Sequence, residues 1–173
     1  MDIKSSIKTI PDFPKEGIQF RDITSLISNP EAFNTTIQEF KKKAELYDFD
    51  AILGLESRGF IFGAPLALAL NKPFILVRKK GKLPRTTISE KYSLEYGEAE
   101  IEVHTEDLEG IKNVLIIDDL LATGGTAQAA CNLVNKLDVA VSALFFVIEL
   151  PDLHGRRILE NYNIESLVEF SGE

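Results

Sequence analysis

Four short apolar runs constrain this chain more than any other feature: Ala51–Leu55, Pro73–Val77, Val114–Ile117 and Val139–Ile148. They lack the alternation of apolar and polar residues that marks a strand with one face in water. Continuous runs of this kind suit strands buried on both faces, as in a parallel sheet covered by helices. The intervals between them agree. Phe60–Leu70 and Thr126–Leu137 have helix-like patterns, and Asn29-Pro30-Glu31 reads as a helix start: a capping side chain, a proline in the first turn and an acid at the positive end of the dipole. Behind it Phe33, Ile37, Phe40 and Ala44 fall on one helical face. Ile101 and Val103, alternating with Glu100, Glu102 and His104, predict a half-exposed strand. Strand–helix alternation therefore predicts an α/β fold, an open and mainly parallel sheet flanked by helices. Ligands of such sheets sit at the carboxyl ends of the strands, which here means Glu56–Gly59 and Asp118–Thr126.

The chain has 173 residues and no Pro/Gly/Ser-rich linker, which predicts one domain over 1–173. Its net charge of −8 argues against a general nucleic-acid binder, which normally carries a basic face. The one cysteine, Cys131, excludes an intrachain disulfide and a CxxC pair, and its place in an apolar helix pattern suits a buried structural thiol. No charged and apolar leader opens the sequence, and its longest nearly unbroken apolar stretch, Phe60–Leu70, is far short of the roughly 20 residues that span a bilayer. The expectation is a cytoplasmic protein with neither a membrane nor a nucleic-acid partner.

The strongest chemical signal follows the third apolar run: Asp118-Asp119-Leu120-Leu121-Ala122-Thr123-Gly124-Gly125-Thr126. Gly124 and Gly125 let backbone N–H groups turn inward, Thr123 and Thr126 add hydroxyl donors, and the helix start behind them favours an anion. The loop lacks the Gly-Lys-Ser/Thr of a nucleotide P-loop and the GxGxxG of a dinucleotide site. Two carboxylates beside such a loop would repel phosphate, but they accept hydrogen bonds from sugar hydroxyls or hold magnesium through water. A ribose 5-phosphate satisfies both halves. The plainer reading is a glycine turn with two solvated acids.

A second positive feature is Arg78-Lys79-Lys80-Gly81-Lys82-Leu83-Pro84-Arg85, five basic residues in eight against an acidic background. Charge runs are often only solvated surface. Its position after a buried strand points instead to an anion, as does that of Arg58 beside Gly59.

These segments resemble the type I phosphoribosyltransferase family, over nearly the whole span from Phe13 to Arg156. The Asp-Asp and Thr-Gly-Gly-Thr segment is similar to the family's phosphoribosyl pyrophosphate motif, which implies that Asp118 and Asp119 meet the ribose hydroxyls. The same match implies that Ala122, Thr123, Gly124, Gly125 and Thr126 hold the 5-phosphate. The Ser57-Arg58-Gly59-Phe60 turn resembles that of the adenine-using members, where it binds pyrophosphate, often with a cis peptide at the acid–serine bond. Arg78, Lys79 and Lys82 are implied to reach pyrophosphate too, partly across a homodimer interface. Tyr92-Ser93-Leu94-Glu95-Tyr96-Gly97 matches the mobile catalytic loop of the adenine branch, so the resemblance implies a mobile segment over about 81–97, with Glu95 as acid/base and Tyr96 helping to close the site. An N-terminal hood over about 1–30 is implied by Phe13–Ile23. There Phe20 would stack on adenine and the Arg21 backbone would bond its edge, although Phe20 alone reads more readily as a core aromatic. Leu153-His154-Gly155-Arg156 resembles a family turn beside the base. His104 and His154 are expected to be structural or surface residues.

The implied function is purine salvage: adenine and phosphoribosyl pyrophosphate give AMP and pyrophosphate, with Mg2+ as cofactor, held mainly through substrate and water with no direct protein ligand assigned. The reading implies that Asp118, Asp119, Arg58 and Glu95 carry the catalysis. Two alternatives remain at this stage, a related phosphoribosyltransferase for another purine and a non-catalytic phosphoribosyl pyrophosphate-sensing module.

Overall fold

A computed structural model describes residues 1–94 and 96–172. Each of the four apolar runs becomes a strand: β3 (Ala51–Leu55), β4 (Phe74–Lys79), β7 (Asn113–Leu121) and β8 (Ala140–Glu149). With β5 (Thr87–Ser93), β6 (Glu98–His104) and β9 (Ile164–Glu169) they form a seven-stranded sheet in the order β5-β6-β4-β3-β7-β8-β9. The five strands from β4 to β9 run parallel, and β6 and β5 extend the edge antiparallel. A separate antiparallel hairpin, β1 (Lys8–Pro11) and β2 (Gln19–Asp22), stands apart as a hood. The helices are α1 (Ile23–Ile27), α2 (Pro30–Ala44), α3 (Arg58–Leu70), α4 (Gly125–Asn135) and α5 (Gly155–Ile158).

Helix α2 starts where its capping signal places it, with the Asn29 side chain accepting from the N–H groups of Glu31 and Ala32 at 3.1 Å each. Its buried face then meets α3 and β8: Phe40 stacks on Phe145 with centroids 5.6 Å apart, and Phe33 meets Phe62 edge-on. Side chains of β7 alternate between two apolar clusters, Val114 and Ile116 on the α4 side and Leu115 and Ile117 on the α2–α3 side. Both faces of the central sheet are therefore covered, as unalternating runs require. Cys131 lies in the α4 cluster, and burial pushes its thiol up to about 12, so it stays protonated and inert.

Three sequence expectations change. β4 alternates in burial instead of being covered on both faces, leaving Leu76 at the surface between buried Ile75 and Val77. β6 reads as half-exposed, yet Glu102 and His104 are both buried, because the Gly81–Thr87 segment folds over them and gives them partners. From Gly81 to about Lys91 the sequence shows no periodic pattern, yet most of β5 lies there, ordered by its pairing with β6 in full register. No helix among the described residues is long and apolar enough to cross a membrane.

Candidate active site

The first residues to place are Asp118 and Asp119, near the carboxyl end of β7. They line one cavity with Arg58 and with the turn from Ala122 to Thr126 that leads into α4. In that turn Gly124 has φ +88°, a left-handed backbone that favours glycine, and a Cβ there would lie 2.9 Å from the Gly155 carbonyl oxygen. The loop is thus pressed against the turn that opens α5, and its open side faces the cavity. The first N–H groups of α4 have no partners within the helix, which makes this end of the cavity a seat for an anion. Thr126 Oγ1 donates to Tyr92 Oη at 3.4 Å, joining the seat to the β5–β6 hairpin.

Opposite the loop, α3 begins directly over β7. A Cβ on Gly59 would sit 2.6 Å from the Ile117 carbonyl oxygen, so only glycine lets the helix start this close. That closeness brings Arg58 Nε to 2.8 Å from Asp119 Oδ2. Asp119 is 5% exposed and Arg58 about half exposed, so the pair joins the floor of the cavity to its mouth. Asp118 Oδ1 accepts from the Asp119 N–H at 2.8 Å. Burial, followed by the adjoining Asp119 carboxylate, pushes the Asp118 carboxyl well above the usual carboxylate range, while Arg58 pulls it down. Hydroxyl donors or a cation in the cavity would relieve that penalty. Among the described residues no group of three or more His, Cys, Asp and Glu is arranged to hold a metal. With two carboxylates here, one already paired with Arg58, a magnesium ion fits only if substrate and water supply most of its oxygens.

A second, more apolar cavity adjoins the first. Ile18, Gln19, Phe20 and Arg21 of the hood form one wall, and Leu120, Ile148 and Leu150 form the other. Phe20 is held edge-on by Phe13, with centroids 5.1 Å apart. The Arg21 guanidinium is occupied elsewhere, donating to Thr9 Oγ1 at 2.7 Å and to the Gly172 carbonyl at 2.8 Å. Arg58, Asp119 and Leu120 line both cavities. A flat ring in the slot and a sugar phosphate in the cradle would therefore meet over these three residues.

The basic run converges on Glu56, the first residue of the predicted Glu56–Gly59 segment, whose anchoring role the sequence did not indicate. Glu56 accepts from Arg78 Nε at 2.8 Å and from the Lys79 N–H at 3.1 Å, and Lys82 Nζ lies 3.5 Å away. Burial acts to raise the Glu56 carboxyl, but these donors outweigh it and hold it low. The Glu56–Ser57 peptide is cis. Arg78, Lys79 and Lys82 are thereby gathered against the residue preceding Ser57 and Arg58. Glu102, to which sequence reasoning gave no role, accepts from the N–H groups of Gly81 and Leu83 at 3.1 and 2.9 Å and fixes the far end of the run. Glu56 directly follows β3 and Glu102 lies in β6, the two strands that flank β4, so only the sheet order reveals their partners. Tyr96 is 84% exposed beside the tip of the β5–β6 hairpin. Glu95 lies outside the described residues. Gly155 backs the phosphate loop, whereas Leu150, just upstream, lines the apolar slot. His104 is a structural residue: its Nε2 accepts from the Arg85 N–H at 3.1 Å.

A family model of the phosphoribosyl transferase domain matches residues 26–162. The chain is 56% identical over 172 residues to the adenine phosphoribosyltransferase of Histophilus somni (strain 2336), covering 98% of this chain and 96% of that one. It is 48% identical to the enzyme of the same name from Agathobacter rectalis, with 99% and 98% covered. Among solved structures, adenine phosphoribosyltransferase from Thermoanaerobacter pseudethanolicus superposes with a TM-score of 0.92 at 49% identity, covering 97% and 98% of the two chains. The Saccharomyces cerevisiae enzyme, solved with D-2,5-dideoxy-2,5-imino-altritol 1,6-bisphosphate and adenine, superposes at 0.89 with 41% identity and 96% of each chain covered.

Proposed function

The chain belongs to the adenine phosphoribosyltransferase family, and on that premise we infer that it transfers the phosphoribosyl group of phosphoribosyl pyrophosphate to adenine, forming AMP and releasing pyrophosphate in a purine-salvage reaction. One observation carries the reading: the apolar slot and the phosphate cradle share Arg58, Asp119 and Leu120, so a base and the anomeric carbon of a bound sugar phosphate come together there. The yeast relative, solved with adenine and a bisphosphate of an imino sugar, supports a site of these two halves.

In this mechanism the Ala122–Thr126 loop and the start of α4 hold the 5-phosphate. Asp118 and Asp119 accept hydrogen bonds from the ribose hydroxyls, and their charge favours the cationic ring that develops as the bond to pyrophosphate lengthens. Arg58, Ser57, Arg78, Lys79 and Lys82 receive the negative charge that grows on the leaving oxygen. Preorganised charge of this kind is often the largest catalytic contribution. The ion pairs that Glu56 and Asp119 make with these cations keep the anion site ordered before substrate arrives. A magnesium ion bound with the substrate, through Asp118 and Asp119 by way of water, would neutralise part of the pyrophosphate charge. Phe20 stacks on adenine, and the Arg21 main chain bonds its edge. Glu95 takes the proton that the purine loses on forming its bond to carbon, and the segment carrying Tyr96 closes over the site to exclude water. The assembly in this mechanism is a homodimer; sedimentation gives its mass directly.

The test is to incubate the protein with phosphoribosyl pyrophosphate and Mg2+ in the presence of adenine, hypoxanthine, guanine or xanthine in turn, and to separate the products. The expected result is AMP and pyrophosphate from adenine alone. Comparable nucleotide formation from another purine, or none from adenine, overturns the assignment.

A further inference from the structure

We propose that the segment Phe170–Gly172 is a strap that sets the width of the base slot, with Phe170 as a positioning residue for adenine. The proposal rests on the reading of the slot as the adenine site. The slot has one wall on the hood and another on the ends of β7 and β8, and among the described residues the hood shares no strand pairing with the main sheet. A lone two-stranded hairpin is marginal in water, so its position depends on side-chain and main-chain ties to its surroundings.

The strap touches both walls. On the core side the Phe170 N–H donates to the Glu149 carbonyl at 3.0 Å, immediately before Leu150, and the Gly172 N–H donates to Asp152 Oδ2 at 2.9 Å. On the hood side the Arg21 guanidinium donates to the carbonyls of Ser171 and Gly172, at 3.2 and 2.8 Å, and its carbon lies 4.6 Å above the centre of the Phe170 ring. Lys4 Nζ stands 5.0 Å from the same ring centre. Phe170 is 9% exposed and belongs to the apolar cluster that contains Ile3, Ile7 and Ile23 at the root of the hood. Among the described residues Arg21 Nε is buried without a hydrogen-bond partner, so the other contacts hold the guanidinium in this pose. The residue so clamped lines the slot next to Phe20. Moving the strap would therefore shift the wall that stacks and bonds the base, while leaving the phosphate cradle on β7 and α4 in place.

The test measures KM for adenine and for phosphoribosyl pyrophosphate separately in Phe170→Ala, Phe170→Leu and Asp152→Ala, alongside the unaltered protein. Loss of binding without loss of transition-state chemistry raises KM and spares kcat, so Phe170→Ala should raise the adenine KM about tenfold with the other KM and kcat within about twofold. Phe170→Leu should recover most of that loss, because it restores apolar volume. Asp152→Ala, an exposed position that spares the core, should raise the adenine KM about threefold, in the same sense as other changes to ground-state binding. Unchanged KM values with a lowered melting temperature would assign the strap to stability alone and overturn the proposal, as would a parallel rise in both KM values. Should Phe170→Ala fail to fold, Phe170→Leu and Asp152→Ala decide the matter on the adenine KM. An unaltered protein that makes no AMP in the same assay would instead overturn the reading of the site itself.

Discussion

Asp119 joins the two halves of the site because it lies in both cavities and holds Arg58 at 2.8 Å. Replacing it with asparagine keeps the size of the side chain and removes the charge that favours a cationic sugar ring. Asp119→Asn should lower kcat by roughly a hundredfold, in line with loss of a preorganised electrostatic partner, with the melting temperature little changed because Arg58 is free to turn to solvent. Steady-state rates and a thermal melt check both parts; an unaltered kcat removes the assigned role. The residues that touch substrate in this scheme were legible in the sequence, because Asp118, Asp119 and the Gly124–Gly125 turn form one contiguous string whose chemistry depends on local backbone geometry. Glu56 and Glu102 were not, because their partners are brought to them by strand order and lie 22 to 26 residues away for Arg78 and Lys82 at Glu56, and 19 to 21 for Leu83 and Gly81 at Glu102.

At the scale of elements, buried carboxylates clip loops to the sheet. Arg156 donates to Glu149 through Nε and Nη2 at 2.7 and 2.8 Å, holding the first turn of α5 behind the phosphate loop, and Glu56 and Glu102 hold the basic run. The Arg156 donors lower the Glu149 carboxyl against the opposing effect of its burial, and donors likewise hold Glu56 and Glu102 low, although burial is the largest single influence on each. A carboxyl held lower in the folded than in the unfolded state stabilises fully above its unfolded value and loses that contribution as pH falls through the folded value. The melting temperature should therefore hold down to about pH 4.5, the ordinary range of a glutamate, and fall steeply below it. Glu149→Gln should flatten part of that fall, and thermal melts between acid and neutral pH measure both; an unchanged slope in the variant removes Glu149 from the explanation. The four short apolar runs were readable as elements because burial in the central sheet, on both faces for most of them, leaves a compositional mark. β9 and β2 were not, since each mixes polar and apolar residues and is ordered by its neighbour, β8 for one and β1 for the other.

For the whole molecule, the parallel sheet places the ends of β3 and β7 side by side, the hood closes one side of that edge, and the β5–β6 hairpin stands at another. Loop sequences separated by some sixty residues thus become one site, at the strand ends to which the order of apolar runs pointed. The arrangement makes a definite demand on where product binds. A crystal structure of the protein with AMP and pyrophosphate should place the AMP phosphate within hydrogen-bonding distance, about 3 Å, of the Thr123–Thr126 backbone, with the ribose hydroxyls on Asp118 and Asp119 and the adenine ring against Phe20. AMP bound with its phosphate away from that loop, or with its base outside the Phe20 slot, would show that the two cavities do not work as one site.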